Sequence, residues 1–337
     1  MTMRRTLIFA ACAAAAAGTG CDCGGGGGAS DSAPGTDASG GSDAVATGAD
    51  AASDAAMMIS PACLASAPVP PADETRMMLW DGAMRTYEVH VPPGYDHAPT
   101  PVVFNFHGFT SNASDQAGYS EMIPKSDAAG FIAVHPQGLN NSWNAGDCCG
   151  QSATDGVDDV GFVGAMIDAL AADLCVDEAR VFATGLSNGG FLSYRLACEL
   201  SDRIAAIAPV AGQLGVDPCA APRPVPVIHF HGDADPIVPY DGSVFLGFVS
   251  VAESIGFWVT RNNCDPTPVE TFNTGDTHCD TYGSCDEGAD VVLCTITGGG
   301  HTWPGGTVPG GYTGMDLDAT DAEWDFFVAH PMPPGGR

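Results

Sequence analysis

The segment 180–195 constrains this chain more than any other. It reads Arg-Val-Phe-Ala-Thr-Gly-Leu-Ser-Asn-Gly-Gly-Phe-Leu-Ser-Tyr-Arg. Residues 180–184 are rich in β-branched and aromatic side chains and stop at a glycine, which predicts a short buried strand. Residues 188–200 set Phe191, Leu192, Tyr194, Leu196 and Leu200 at helical spacing, which predicts a helix. Between them lies Gly185-Leu186-Ser187-Asn188-Gly189, a G-x-S-x-G turn. Strand and helix pass so close at such a turn that only small residues fit two places either side of the serine. The serine hydroxyl is left at a helix N-terminus, where free N–H groups favour negative charge. In a chain with 44 glycines the five-residue pattern alone is weak. Its context, strand before and helix after, makes Ser187 a candidate nucleophile.

A serine hydroxyl needs a base within hydrogen-bond reach, and the base needs a carboxylate to fix its tautomer. Alternating strand and helix patterns show where to look. Strands are predicted at 86–91, 101–106, 131–135, 203–210, 225–230 and 291–297, and helices at 160–174, 245–261 and 321–329. This alternation predicts an α/β fold, a mostly parallel central sheet with helices on both faces, in a single catalytic domain. Reactive groups in such sheets gather in loops after the strands' carboxyl ends. The loop after Phe230 offers two carboxylates, Asp233 and Asp235, and the residues alone do not choose between them. The loop after Thr297 runs Gly298-Gly299-Gly300-His301-Thr302-Trp303-Pro304, and a histidine among such small residues has no evident packing purpose. The order Ser, Asp, His is that of the α/β-hydrolase architecture. The backbone N–H of Asn188 is the natural first donor to an oxyanion, with a second from Phe109 or Thr110 after His107-Gly108. His90, His135 and His229 fall in strands and read as structural; His107 and His231 read as braces for their loops.

The remaining features bound the setting. Residues 1–20 carry Arg4 and Arg5, an apolar run over 7–17 and then small residues, which predicts an export signal. Cys21 follows Gly18-Thr19-Gly20, a loose lipoprotein processing site, so Cys21 is a candidate lipid anchor and the only predicted link to a membrane. Residues 21–60 are Gly, Ala, Ser, Thr and Asp with few large apolar side chains, the composition of a solvated tether. Residues 61–337 suffice for one α/β domain. A formal charge of −30 excludes nucleic acid as a partner, since phosphates need a basic face.

Thirteen cysteines in an exported chain point to disulfides. Without Cys12, Cys21 and Cys23, the ten that remain allow five bridges. Cys279 with Cys285 is one expected pair, around a short loop, and Cys198 with Cys219 a second. No Cys/His spacing suits zinc, and adjacent Cys148 and Cys149 lack the spacer of a redox turn. Neither a metal nor any other cofactor is implied.

Several stretches together resemble the exported esterase family that groups polyhydroxybutyrate depolymerases with feruloyl and acetylxylan esterases, within the α/β-hydrolase fold. They are residues 103–108, Trp143-Asn144-Ala145-Gly146-Asp147-Cys148-Cys149-Gly150, and Val157-Asp158-Asp159-Val160-Gly161-Phe162. Residues 176–195, 231–240 and 298–305 complete the set, spread over most of 75–330 and in family order. The resemblance implies Ser187 as nucleophile, His301 as base and Asp235 as acid, because Asp235 precedes Pro-Ile-Val-Pro-Tyr as the family's acid does. It also implies ester hydrolysis through an acyl-enzyme, without a cofactor. Capping of the helix that follows suffices to explain Asp158-Asp159, with a supporting role behind the site residues as the alternative. Trp303 beside His301, Phe109 beside the oxyanion donor and Trp143 in the Cys-Cys loop are expected to line the substrate pocket. No binding module follows the catalytic region, which favours feruloyl or acetyl esters of plant polysaccharide over insoluble polyester as substrate. A polyester depolymerase and a catalytically idle binding protein on the same fold are the competing readings.

Overall fold

The computed structural model describes residues 60–64, 72–307 and 316–336. The export signal, Cys21 and all of the tether except Ser60 lie outside the described residues. Ser60 belongs to the folded domain: its N–H donates to Val176 O at 3.1 Å and its hydroxyl to Leu174 O at 2.7 Å. A Cys63–Cys175 disulfide fastens the same segment.

Ten strands form one sheet. In chain order they are β1 (Asp73–Trp80), β2 (Ala83–His90), β3 (Thr100–Phe106), β4 (Ile132–Pro136) and β5 (Val176–Leu186). Then come β6 (Ala206–Val210), β7 (Val227–Gly232), β8 (Val269–Thr274), β9 (Thr277–Tyr282) and β10 (Val291–Ile296). Their spatial order is β1-β2-β4-β3-β5-β6-β7-β10-β9-β8. The six from β4 to β10 pair in parallel, and an antiparallel hairpin closes each edge. β3, β4, β6 and β7 are buried along their whole length, as strands covered on both faces must be. The outermost β1 and β8 are largely exposed.

Helices α1 (Ala113–Ser120), α2 (Met122–Ala129), α3 (Gly150–Asp155), α4 (Asp159–Asp173), α5 (Asn188–Glu199), α6 (Val251–Arg261) and α7 (Ala319–Ala329) lie between and beside the strands. Two separate apolar cores sandwich the sheet. One holds Phe104, Phe106, Trp143, Phe162, Tyr194 and Trp258, the other Phe131, Phe182, Phe230, Trp303 and Phe327. This is the mostly parallel α/β arrangement expected from the alternating pattern, and the α/β-hydrolase fold that the resemblance implied.

The predicted helix at 245–261 starts later than its pattern suggests. Residues 243–248 instead form a tight turn, closed by two Ser243–Phe248 backbone bonds and a left-handed Gly247. A reciprocal capping box between Ser250 and Glu253 then starts α6.

All ten remaining cysteines pair, giving Cys63–Cys175, Cys148–Cys149, Cys198–Cys219, Cys264–Cys285 and Cys279–Cys294. Cys198–Cys219 is the pairing expected. Cys279–Cys285 is not formed, because Cys279 stands directly opposite Cys294 in the β9–β10 register and Cys285 meets Cys264 beyond the end of α6.

Candidate active site

Ser187 is the hinge between β5 and α5, with φ 58° and ψ −120°. A β-carbon on Gly185 would come within 2.5 Å of Phe106 O, and one on Gly189 would run into the same carbonyl. Both glycines are therefore required by the close passage of β3, and the strained serine backbone is held by packing on either side. The Ser187 N–H donates to Val210 O at 2.8 Å, while its side chain makes no capping bond to the helix.

Backbone bonds step from Ser187 across the sheet. Ala211 N–H donates to Phe230 O at 2.9 Å, and Asp233 N–H to Ile296 O at 3.0 Å. The carboxyl ends of β5, β6, β7 and β10 thus form one edge, from which the loops bearing Ser187, Asp235 and His301 all leave. The β7 and β10 loops are joined further by Ala234 N–H to Gly299 O at 3.0 Å and by Gly298 N–H to Asp233 Oδ1 at 2.6 Å.

Asp235 is buried in this corner. Its Oδ1 accepts the N–H groups of Ile237 at 2.7 Å and Val238 at 2.9 Å, and its Oδ2 lies 2.7 Å from His301 Nδ1. The carboxylate can only accept, so Nδ1 is the donor of this bond, and in the neutral ring the lone pair falls on Nε2. Geometry thus separates the two carboxylates: Asp235 meets the imidazole, and Asp233 secures the loop that carries it.

The loop after β3 lies against the serine. A β-carbon on Gly108 would sit 3.4 Å from Ser187 Cβ. Phe109 N–H makes no hydrogen bond among the described residues, but Thr110 N–H already donates to Asn141 O at 2.8 Å. The Thr110 N–H is therefore engaged, which leaves Phe109 and Asn188 of the three candidate oxyanion donors. His107 braces this loop as expected: Nε2 accepts Gly138 N–H at 3.0 Å and Nδ1 donates to Gly108 O at 2.8 Å. Burial pushes its pKa down to about 4, so the ring is neutral.

Two expected pocket residues are placed elsewhere. Trp143 and Trp303 are both 0% exposed. Trp143 packs on Phe106 and His107 and donates its indole N–H to His107 O at 2.9 Å. Trp303 donates to Thr320 Oγ1 at 3.0 Å within the opposite core. Each indole has found a buried partner, which is what makes full burial of tryptophan tolerable. Phe109, by contrast, leaves 47% of its surface open.

Asp159 also differs from expectation. Asp158 caps α4 by accepting Gly161 N–H at 2.9 Å, but Asp159 points inward to a buried pair with Arg85 at 2.7 Å. The Arg85 guanidinium lies over the Phe162 ring, 4.0 Å from its centroid. Asp159 Oδ2 accepts Asn144 N–H at 2.7 Å, which ties the 143–149 loop to this pair. Arg85, the third residue of β2 and in alternating phase with Tyr87 and Val89, was the only trace of it in the sequence.

Fold and site together place the chain in the α/β-hydrolase class. Comparison with known proteins narrows this. The family model described as Esterase PHB depolymerase matches residues 85–249, and the chain belongs to that family. NocK of Nocardia uniformis subsp. tsuyamanensis is 32% identical over 290 residues, covering 77% of this chain and 84% of that protein. Feruloyl esterase C of Emericella nidulans is 31% identical over 256 residues, covering 73% and 84% respectively. The acetyl xylan esterase of Aspergillus awamori shares the fold with a TM-score of 0.54 at 16% identity, over 75% of this chain and 99% of that one.

Proposed function

We propose that this protein is an exported serine esterase that cleaves feruloyl or acetyl esters of plant polysaccharide through an acyl-enzyme on Ser187. The observation that carries the reading is the 2.7 Å Asp235–His301 contact on the same sheet edge as Ser187. In the first half-reaction the Ser187 hydroxyl passes its proton to His301 Nε2 as Oγ attacks the ester carbonyl carbon. The oxyanion is met by the N–H groups of Asn188 and Phe109, and Asp235 stabilises the imidazolium. Collapse breaks the bond to the alcohol, which leaves with the proton from His301. Water then repeats the sequence on the acyl-enzyme, releasing the acid and restoring Ser187. Export is supported by the apolar N-terminal run and by five disulfides, which persist in oxidising compartments. The acyl preference is supported by the named activities of the relatives and by the exposed Phe109 ring next to the oxyanion donor.

A second reading, polyester hydrolysis, is favoured by the turn after β7. Val244 and Phe245 are fully exposed there, and Ile237 is open two residues from Asp235. The deciding experiment is an ester panel run on the protein and on Ser187→Ala. It holds p-nitrophenyl acetate, butyrate and octanoate, methyl ferulate, acetylated xylan and a polyhydroxybutyrate suspension. Loss of activity by several orders of magnitude in Ser187→Ala supports the nucleophile, and parental activity overturns it. Preference for methyl ferulate or acetylated xylan supports the first reading; clearing of the suspension supports the second. A parent that hydrolyses nothing and resists labelling by an active-site-directed organophosphonate would be a binding protein on this fold.

A further inference from the structure

The Asp235 carboxylate is the end of a longer buried chain. Tyr194 Oη lies 2.8 Å from His229 Nδ1, His229 Nε2 lies 3.0 Å from His231 Nδ1, and His231 Nε2 lies 2.8 Å from Val238 O. The same His231 Nε2 is 3.5 Å from Asp235 Oδ2, the oxygen that His301 shares. All three side chains are fully buried. His229 and His231 alternate along β7 and so share one face, and Tyr194 reaches them from α5, seven residues beyond Ser187.

The partners fix every proton in the chain. His231 Nε2 faces only acceptors, a carbonyl and a carboxylate, so it carries a hydrogen. Burial lowers the pKa of both histidines, so each holds a single ring proton. His231 Nδ1 is therefore an acceptor, and His229 Nε2 must donate to it. His229 Nδ1 is then an acceptor in turn, and the Tyr194 hydroxyl donates. Three successive dipoles point the same way, toward Asp235, and each polarises the next.

We propose that Tyr194, His229 and His231 act as a positioning relay for Asp235 and so for His301. This rests on the esterase reading of the site. Two effects follow from the geometry. The relay holds the 235–238 turn through Val238 O, and it brings the positive end of an N–H dipole to the oxygen facing His301. That dipole offsets part of the Asp235 field at His301, so removing it should favour the imidazolium over the free base. The other titratable groups around this point are Tyr240, whose ring stands edge-on to His231, and Asp233, held by Gly298 N–H. Tyr240 is pushed upward by burial and stays neutral. Simple packing does not require the relay's polarity, because a phenylalanine at 194 would fill the same space.

The test compares full-length parent, Tyr194→Phe, His231→Gln and His231→Leu. The pKa of His301 is read by imidazole nitrogen NMR, which needs no substrate, alongside kcat and KM against pH. Tyr194→Phe is expected to raise the His301 pKa, moving the acidic limb of kcat/KM upward. It should lower kcat about fivefold, the worth of one neutral hydrogen bond, with KM unchanged. His231→Gln, which keeps an N–H donor near the Nε2 position, should lie between parent and Tyr194→Phe; His231→Leu should show the largest shift. In the parent, both relay histidines should show a proton on Nε2 alone. A Tyr194→Phe variant with the parental His301 pKa, or a His229 protonated on Nδ1, overturns the proposal even where His231→Leu fails to fold. An inactive parent with the expected spectra and shifts would instead count against the esterase reading and leave the relay standing.

Discussion

Asn188 grips Trp143 by its backbone, accepting the Trp143 N–H at 2.7 Å through Oδ1 and donating Nδ2–H to the Trp143 carbonyl at 3.1 Å. The residue next to Ser187 is thereby fastened to the loop that ends in the Cys148–Cys149 disulfide. The same loop is held from behind by Asp159 through Asn144. The turn that presents the serine is thus part of a larger buried frame, and Trp143 belongs to the frame rather than to a pocket wall.

Asn188→Ala should therefore weaken both fold and site. It leaves the buried Trp143 N–H and carbonyl without partners, a cost of about 3 kcal/mol by the usual penalty for orphaned groups. Urea unfolding should show that loss. The kcat for ester hydrolysis should also fall, because the backbone N–H of residue 188 loses its fixed direction. Unchanged unfolding midpoints would show that the clamp contributes nothing.

The two carboxylates after β7 should separate cleanly in activity. Asp235→Asn removes the ionised partner of His301 Nδ1 and should lower kcat by roughly four orders of magnitude, as loss of the orienting carboxylate does in such triads. Asp233→Asn keeps a carbonyl oxygen for Gly298 N–H, so its kcat should stay within about tenfold of the parent, the scale of one hydrogen bond. Kinetics on a single p-nitrophenyl ester suffice, and the reverse ranking would move the acid's role to Asp233.

The parts of the site that could be read from sequence were those whose chemistry is local. Ser187 sits in a turn whose glycines are adjacent in the chain, and the strand and helix around it have strong periodicity. His301 stood out because a histidine among such small residues has no evident packing purpose. What escaped depends on contacts between distant segments. Trp143 and Trp303 look like pocket residues by position, yet each indole finds its acceptor only in the folded core. Thr110 differs from Phe109 only in that Asn141 takes its N–H. Arg85 and Asp159 are 74 residues apart, so nothing in either neighbourhood announces the pair. The β1–β2 hairpin was legible in principle: Asp81-Gly82 is a strong two-residue turn signal, and both residues have positive φ.

Breaking the Arg85–Asp159 pair from one side should be far worse than its small size suggests. Arg85→Met leaves Asp159 buried with its charge uncompensated and should cost about 3–5 kcal/mol. Arg85→Met with Asp159→Leu removes both charges and should recover part of that loss. Recovery stays incomplete because Asn144 N–H then lacks its acceptor. Urea unfolding of the two single variants and the double variant measures the coupling, and strict additivity would mean the charges do not interact.

Glu323 makes the fold sensitive to pH in a direction opposite to that of salt-bridged carboxylates. It is wholly buried on α7, where its Oε2 lies 2.8 Å from Thr184 Oγ1, whose own hydrogen goes to Ala208 O at 2.6 Å, and its Oε1 has no partner among the described residues. Burial raises its pKa well above the ordinary 4.5. Between that value and the higher folded one, the native state keeps a proton that the unfolded chain releases. Stability is therefore lost as pH rises through this window, with a slope of about 1.4 kcal/mol per pH unit for one proton. Glu323→Gln has no proton to release and should abolish that slope. Chemical unfolding at several pH values should show the variant close to the parent near pH 4 and progressively more stable than it above. A difference that stays constant with pH would mean that Glu323 is ionised in the folded protein.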